Sequence, residues 1–126
     1  TAAASSFFIC ILGVYPEIQE KVYQELRDIF QDSDRPITFN DTLQMKYLER
    51  VLLETLRMYP PVPIITRVIN EEVKLASGDY TLPVGTTVGI GQFLVHRNPK
   101  YFPNPDKFDP DNFLPERCQQ RHYYSY

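Results

Sequence analysis

The tightest constraint on this chain lies in Tyr47-Leu48-Glu49-Arg50-Val51-Leu52-Leu53-Glu54-Thr55-Leu56-Arg57-Met58-Tyr59-Pro60-Pro61. Its apolar residues recur at helical spacing: Leu48, Leu52, Leu56 and Tyr59 on one side, Tyr47, Val51 and Met58 beside them. That period predicts a helix. Val51 to Leu53, Thr55 and Leu56 carry no charge, so most of this helix should be buried. Glu54 and Arg57 nevertheless sit within it, three residues apart and therefore on a shared face. A charge in an apolar setting is costly unless it is paired and hydrogen-bonded, and these two can pair with each other. Arginine also presents five donors in a rigid fork, more than one carboxylate can satisfy. A further partner from elsewhere in the chain is therefore expected. Pro60, Pro61 and Pro63 end the helix, because the residue before a proline avoids helical geometry. The alternative is a surface salt bridge, the commonest fate of a Glu-x-x-Arg pair. The apolar flanks and the proline stop favour the buried reading.

The chain has 126 residues, enough for one domain with a modest core. With 43% hydrophobic and 23% charged residues it falls in the ordinary globular class. A net charge of −3 without any basic run argues against nucleic acid as a partner. Cys10 and Cys118 sit in unlike settings with no metal-type spacing, which predicts two free thiols. The opening run from Ala2 to Leu12 is shorter than the ~20 apolar residues a bilayer span needs. It also lacks the basic leader of a signal peptide. It reads as a core helix cut by the end of the sequence. Ser125-Tyr126 shows no closing feature, so the chain is expected to be a piece of a longer protein.

Residues 2–12 read as the last turns of a buried helix ended by Gly13. Pro16 suits the first position of the next helix, and Glu17 favours its positive end. Ile18, Val22, Leu26, Ile29 and Phe30 form its apolar stripe, with Lys21, Glu25 and Asp28 on the wet face. Gln31-Asp32-Ser33-Asp34-Arg35-Pro36 is a polar loop, and Thr38 or Asn40 can cap a short helical turn after it. Strands are expected at Ile64 to Asn70, Val73 to Ala76, Tyr80 to Leu82 and Thr86 to Ile90. Turns at Ser77-Gly78-Asp79 and Pro83-Val84-Gly85 separate them. The connections are too short for crossovers, so the strands should form one small antiparallel sheet. The fold class is mainly α with that sheet, an α+β arrangement. Gln92 to His96 suits a short helix. Beyond it, Pro99, Pro103, Pro105, Pro110 and Pro115 exclude regular structure. Tyr101, Phe102, Phe108 and Phe113 alternate with these prolines, and disordered segments are poor in aromatics. An ordered coil pinned by the rings is expected. Arg117, at its end, is the candidate extra partner of the Glu54–Arg57 pair.

Glu54-Thr55-Leu56-Arg57, Pro60-Pro61-x-Pro63, His96-Arg97-Asn98-Pro99 and Phe108-x-Pro110-x-x-Phe113-x-Pro115-x-Arg117 follow one another in this order. Together they closely resemble the C-terminal half of a cytochrome P-450, and the resemblance covers nearly the whole chain. It implies one partial domain over residues 1–126: the end of the distal helix, the helices after it, the Glu-x-x-Arg helix, the sheet and the coil. The N-terminal half and the haem-ligand loop would lie elsewhere. By the resemblance, Glu54, Arg57 and Arg117 form the family's buried Glu-Arg-Arg triad beneath the haem. Arg67 falls where the family often places a cation against a haem propionate, a charge-assisted hydrogen bond. The alternative for Arg67 is an exposed strand-end arginine. Ile64, Ile65 and Thr66 would face the substrate above the haem, or else belong to ordinary sheet core.

His96 has no second histidine or carboxylate at ligand spacing and reads as a hydrogen-bonded structural residue; His122 reads as exposed. No metal ligand is expected within the chain. The family's iron ligand is a cysteine in a Phe-x-x-Gly-x-Arg-x-Cys-x-Gly loop, which Cys118 does not match, so the thiolate should lie beyond Tyr126. That thiolate pushes electron density to favour O–O cleavage. Thr1 resembles the second threonine of the family's acid-Thr-Thr step, which places the oxygen-activating residue just before it. The resemblance further implies a haem cofactor, an NADPH-dependent reductase, a lipophilic substrate and a missing N-terminal membrane anchor. The parent would sit at the cytoplasmic face of the endoplasmic reticulum.

Ser33-Asp34-Arg35-Pro36, Lys74-Leu75-Ala76-Ser77-Gly78-Asp79-Tyr80 and Arg121-His122-Tyr123-Tyr124 resemble one insect branch. It belongs to the microsomal group whose relatives hydroxylate fatty-acid chain ends. That branch is associated with converting long-chain aldehydes to cuticular hydrocarbons. The leading expectation is thus part of a haem-thiolate monooxygenase, inactive on its own, with oxidative decarbonylation of a long-chain aldehyde as the variant chemistry. The rival from another class is a non-catalytic α+β interaction module.

Overall fold

The computed structural model describes residues 1–31 and 33–126. Four helices come first: α1 (Ala2–Val14), α2 (Pro16–Phe30), α3 (Phe39–Thr42) and α4 (Lys46–Met58). Two antiparallel ladders and a short helix follow: β1 (Ile65–Val68), β2 (Val73–Lys74), β3 (Thr81–Leu82), β4 (Thr87–Ile90) and α5 (Gln92–His96). The coil then contains a 3₁₀ turn (Pro110–Phe113), α6 (Pro115–Gln119) and a last 3₁₀ turn (Tyr123–Ser125). The mainly α architecture with antiparallel pairing matches the sequence reading.

Helix α1 passes through Gly13 and ends at Val14, one residue beyond the expected stop. It bends by 109° into α2, whose Pro16 occupies the first turn. No single helix among the described residues is long and apolar enough to cross a membrane. Although α1 is apolar all round, Ile11 is its one buried residue, and Ile9 and Val14 are exposed. The expectation of a buried helix therefore holds only for the stripe of Ile11, Phe8 and Leu12, which packs on the core formed with Ile18, Val22, Val51, Met58 and Phe108.

Thr38 caps α3 as expected: its Oγ accepts the Asp41 N–H, while the Asp41 carboxylate accepts the Thr38 N–H at 2.8 Å. Arg35 grips the same carboxylate bidentately, at 2.7 and 2.8 Å. These bonds, the Arg35 one foremost, hold the Asp41 carboxyl well below the usual range. Of the expected loop, Asp32 lies outside the described residues.

The strands do not join into one sheet. β1 pairs with β4 from Ile65↔Ile90 to Val68↔Thr87, and β2 pairs with β3 separately inside that connection. Pro83 directly follows β3 and has no N–H with which to extend its ladder. Gly85 then turns the chain at φ +85°, a conformation that suits glycine, and donates to the Ile69 carbonyl.

Helix α4 begins without a capping side chain of its own, since Met45 occupies the cap position. Glu25 of α2 supplies the missing acceptors. Its two carboxylate oxygens take the N–H groups of Tyr47 at 2.6 Å and Leu48 at 2.8 Å. The expectation of a solvated Glu25 is thereby corrected: it is half-buried and reaches across to satisfy orphan donors of a second helix. Glu25→Ala should destabilise by about 1 kcal/mol, the ordinary cost of losing an N-terminal cap. Glu25→Gln, with one acceptor oxygen left, should cost less. Denaturant midpoints of the two variants check this ranking.

Candidate functional site

The buried face of α4 is made of Val51, Glu54, Thr55, Arg57 and Met58, while Leu52, Leu53 and Leu56 are only half-buried. The charged pair thus occupies the driest side of the helix. Glu54 and Arg57 are both 0% exposed. Arg57 Nε donates to Glu54 Oε2 at 2.7 Å and Nη2 to Oε1 at 2.8 Å, a bidentate fork. The remaining guanidinium donors go to backbone carbonyls: Nη1 to His96 and Pro105, both at 2.8 Å, and Nη2 to Lys107 at 3.2 Å. All five donors of the fork are used. The extra partner demanded by the donor count exists, and it is main-chain oxygen from α5 and the coil.

The carboxylate is filled from its other side. Glu54 Oε1 also accepts the Asp109 N–H at 2.8 Å and the Asn112 amide at 3.2 Å. The residue that reaches Glu54 from the coil is Asn112, not Arg117. Pro115 opens α6 after the 3₁₀ turn, and that helix carries Arg117 away from the pair. The Arg117 side chain is 49% exposed and pairs with Asp109 at 3.4 Å. The structure does not bring Arg117 to Glu54 or Arg57, so the expected second guanidinium is replaced there by a neutral amide.

Aromatic rings complete the surroundings. Phe102 is 0% exposed and receives two guanidinium groups, Arg57 at 4.9 Å and Arg121 at 4.5 Å from its centroid. Arg121 also lies 5.2 Å from the Phe113 ring. Phe108 fills the helical core and stacks on Tyr15 at 5.2 Å. Tyr126 stands edge-on to Phe113 and donates its hydroxyl to the Leu53 carbonyl at 3.0 Å. Burial first, and the nearby Glu54 charge second, push its phenol above the ordinary 10.0. The coil is therefore ordered by its rings, as the proline–aromatic alternation implies.

His96 is buried, but the hydrogen-bonded atom is its backbone oxygen. Its imidazole stacks on Tyr126 at 4.9 Å, and Nδ1 has no partner among the described residues. Arg97 anchors the same corner, donating to the Met58 carbonyl at the end of α4 and to Asp106. His122 is exposed, and Cys10 and Cys118 are exposed free thiols. No group of three or more metal-ligating side chains occurs among the described residues.

The strand candidates lie in the β1–β4 ladder. Arg67 is exposed, and Nη1 donates to the Thr66 carbonyl at 2.9 Å. Alternation along β1 groups Ile65 with Arg67 on one face and Thr66 with Ile64 on the other. Ile64 indeed leans toward Gly89, the partner of Thr66. Ile64 and Thr66 are exposed and Ile65 is half-buried. Thr1 caps the start of α1, where its carbonyl accepts the Ser5 N–H and hydroxyl. Sequence reasoning missed Asn112, Arg121, Tyr126 and Glu25. Asn112 alone carried a signal, its place between the buried rings Phe108 and Phe113.

Removing one member of the buried pair strands the other, at a cost of roughly 3–5 kcal/mol. Arg57→Met and Glu54→Leu should each reach that range, and the double variant should cost less than the sum. Denaturation of the four species provides the cycle. A pH effect follows from His96. Burial lowers its imidazole below 6.5, so the unfolded chain binds more protons as pH falls. The stability tied to the neutral ring is present above 6.5 and is lost as pH drops below it toward the folded value. His96→Phe should flatten the stability–pH slope in that window, measured by denaturation at a series of pH values.

The family model described as Cytochrome P-450 matches residues 1–126. The chain is 60% identical to Cytochrome P-450 4g15 and 59% identical to Cytochrome P-450 4g1, both of Drosophila melanogaster, over its full length. Identity to Cytochrome P-450 4V2 of Homo sapiens is 45%, again across the whole chain. These alignments cover 22%, 23% and 24% of the respective relatives, so the chain spans less than a quarter of their length.

Proposed function

The chain belongs to the cytochrome P-450 family, and from that premise we propose that it serves as an internal part of a haem-thiolate monooxygenase acting on a lipophilic substrate. The match over every described element carries this reading. When bound, the haem supplies oxygen activation through a thiolate ligand contributed from outside residues 1–126. The work of this chain is to hold, orient and wall the site. The Glu54–Arg57 pair clamps α4 to the coil and keeps that frame rigid. Arg67 is the candidate propionate contact. Among the described residues its fork makes a single hydrogen bond, to the Thr66 carbonyl, and so retains donors for a carboxylate. Ile64, Ile65 and Thr66 form the candidate substrate wall, an apolar strand end beside the open backbone of Gly89. Thr1 would stand next to the oxygen-activating residue. A reductase supplies electrons to the parent, and a membrane anchor at the endoplasmic reticulum belongs to the same reading. The rival interaction module has no comparable support.

The greater identity to the Drosophila relatives than to the human one, 60% and 59% against 45%, favours the insect-branch chemistry. In that variant the parent would decarbonylate a long-chain aldehyde rather than hydroxylate a chain end. Full-length enzyme supplied with a long-chain aldehyde, O2, NADPH and reductase would release a hydrocarbon one carbon shorter, with the carbonyl carbon leaving as carbon dioxide and the remaining oxygen as water; a hydroxylated product alone would reject the variant.

The propionate contact is tested by haem retention. Losing a hydrogen bond to a charged group is worth about 1.5–3 kcal/mol, or roughly 10- to 100-fold in affinity. Full-length Arg67→Ala should lose haem to an apo-acceptor faster by that order, and Arg67→Lys by less. Unchanged haem loss in Arg67→Ala would remove Arg67 from the cofactor site, and a full-length protein unable to bind haem would sink the monooxygenase reading itself.

A further inference from the structure

A cleft of about 440 Å³ opens along the coil and α6, bordered by Asp109 and Asn112, which also bond Glu54. That volume lies within the ~300–1,000 Å³ range of small-molecule sites. Lys100, Arg117 and Arg121 line it, and among the described lining residues Asp109 is the only carboxylate. The chain as a whole carries a net charge of −3, so this concentration of positive charge runs against its overall balance. Asn104 and Gln120 add neutral donors.

The cations are poorly matched by their own surroundings. The one ion pair in the cleft among the described residues, Arg117 to Asp109, spans 3.4 Å, beyond the ~2.7–2.9 Å of a good charge-assisted bond. Arg121 is held by the Phe102 and Phe113 rings and by Cys118 Sγ at 3.3 Å, none of which is a carboxylate. Lys100 lies 5.7 Å from the Tyr101 ring, and no carboxylate stands within salt-bridge distance among the described residues. Arg121 is fixed between the rings and Arg117 is carried on α6, which with Lys100 gathers like charges around a concave space, an arrangement that focuses a positive potential.

We propose that this cleft is a binding site for a phosphate-bearing ligand. Arg117 would grip the phosphate oxygens with its fork, while Lys100 and Arg121 supply the balancing charge. A phosphate group offers more oxygens and more charge than a carboxylate, and so satisfies more of the unused donors. The cleft exceeds the volume of inorganic phosphate, which leaves room for the group the phosphate is attached to. A soluble phosphorylated metabolite and a lipid headgroup present the same chemistry.

The test is calorimetric titration of the full-length haem-loaded protein at constant ionic strength. The probes are sodium phosphate, sodium pyrophosphate, and phosphatidylcholine vesicles with and without phosphatidic acid. Arg117→Gln should weaken binding about tenfold, the loss of a charged hydrogen bond. Asp109→Asn removes the competing carboxylate and keeps an oxygen for the Asp111 N–H that Asp109 accepts. It should strengthen binding severalfold. Binding of the soluble anions with these opposite responses supports a metabolite site. Binding only of phosphatidic-acid vesicles, with the same responses, supports a headgroup site. Failure of every probe to bind, or binding indifferent to both substitutions, overturns the proposal.

Discussion

Everything in this structure depends on a carboxylate and a guanidinium held out of water on the inner face of α4. Two buried charges are tolerable only when the geometry is good and the leftover donors and acceptors are filled. Both conditions are met. Glu54 accepts two bonds from Arg57, one from a backbone N–H and one from a side-chain amide, and Arg57 spends its remaining donors on three carbonyls. The pair is therefore a junction rather than a bridge. It joins α4 to the end of α5, to the proline-rich coil and to the 3₁₀ turn in a single hydrogen-bonded unit.

Around that junction the apolar and polar contributions are interleaved. Phe108 enters the helical core beside Val51 and Met58, while the Asp109 N–H next to it meets Glu54. Phe102 presents its ring to Arg57 and Arg121. Around Pro99, Pro103 and Pro105 the coil forms neither helix nor strand. Pro110 opens the 3₁₀ turn and Pro115 opens α6, so regular structure is excluded only from the first part of the segment. The rings between the prolines give it positions to occupy.

Local signals were legible. The limits of α2 and α5, the Thr38 cap and the proline stop after α4 all follow from residues adjacent in sequence. The need of Arg57 for more partners was also readable, because it is a matter of counting donors. Which partners it finds was not, since every residue carries a carbonyl. Charge misdirected the reading at Arg117: a guanidinium near the end of the coil looked like the natural third member, whereas Asn112 does the bonding. Glu25 was hidden by distance, as it caps a helix 22 residues away. The strands were located but not their pairing, because two short ladders and one sheet share the same local pattern.

The coil possesses no ladder of its own, and residues 105–109 are tied down by two side chains of α4, Glu54 and Arg57. To lift residues 105–109 away from α4 would expose a desolvated charge on each partner at once, so small excursions are suppressed. Opening there is all-or-none. The Asp109 amide, bonded to Glu54, would exchange with solvent only when α4 itself comes loose, so one amide of an irregular segment acquires the exchange behaviour of a buried helix.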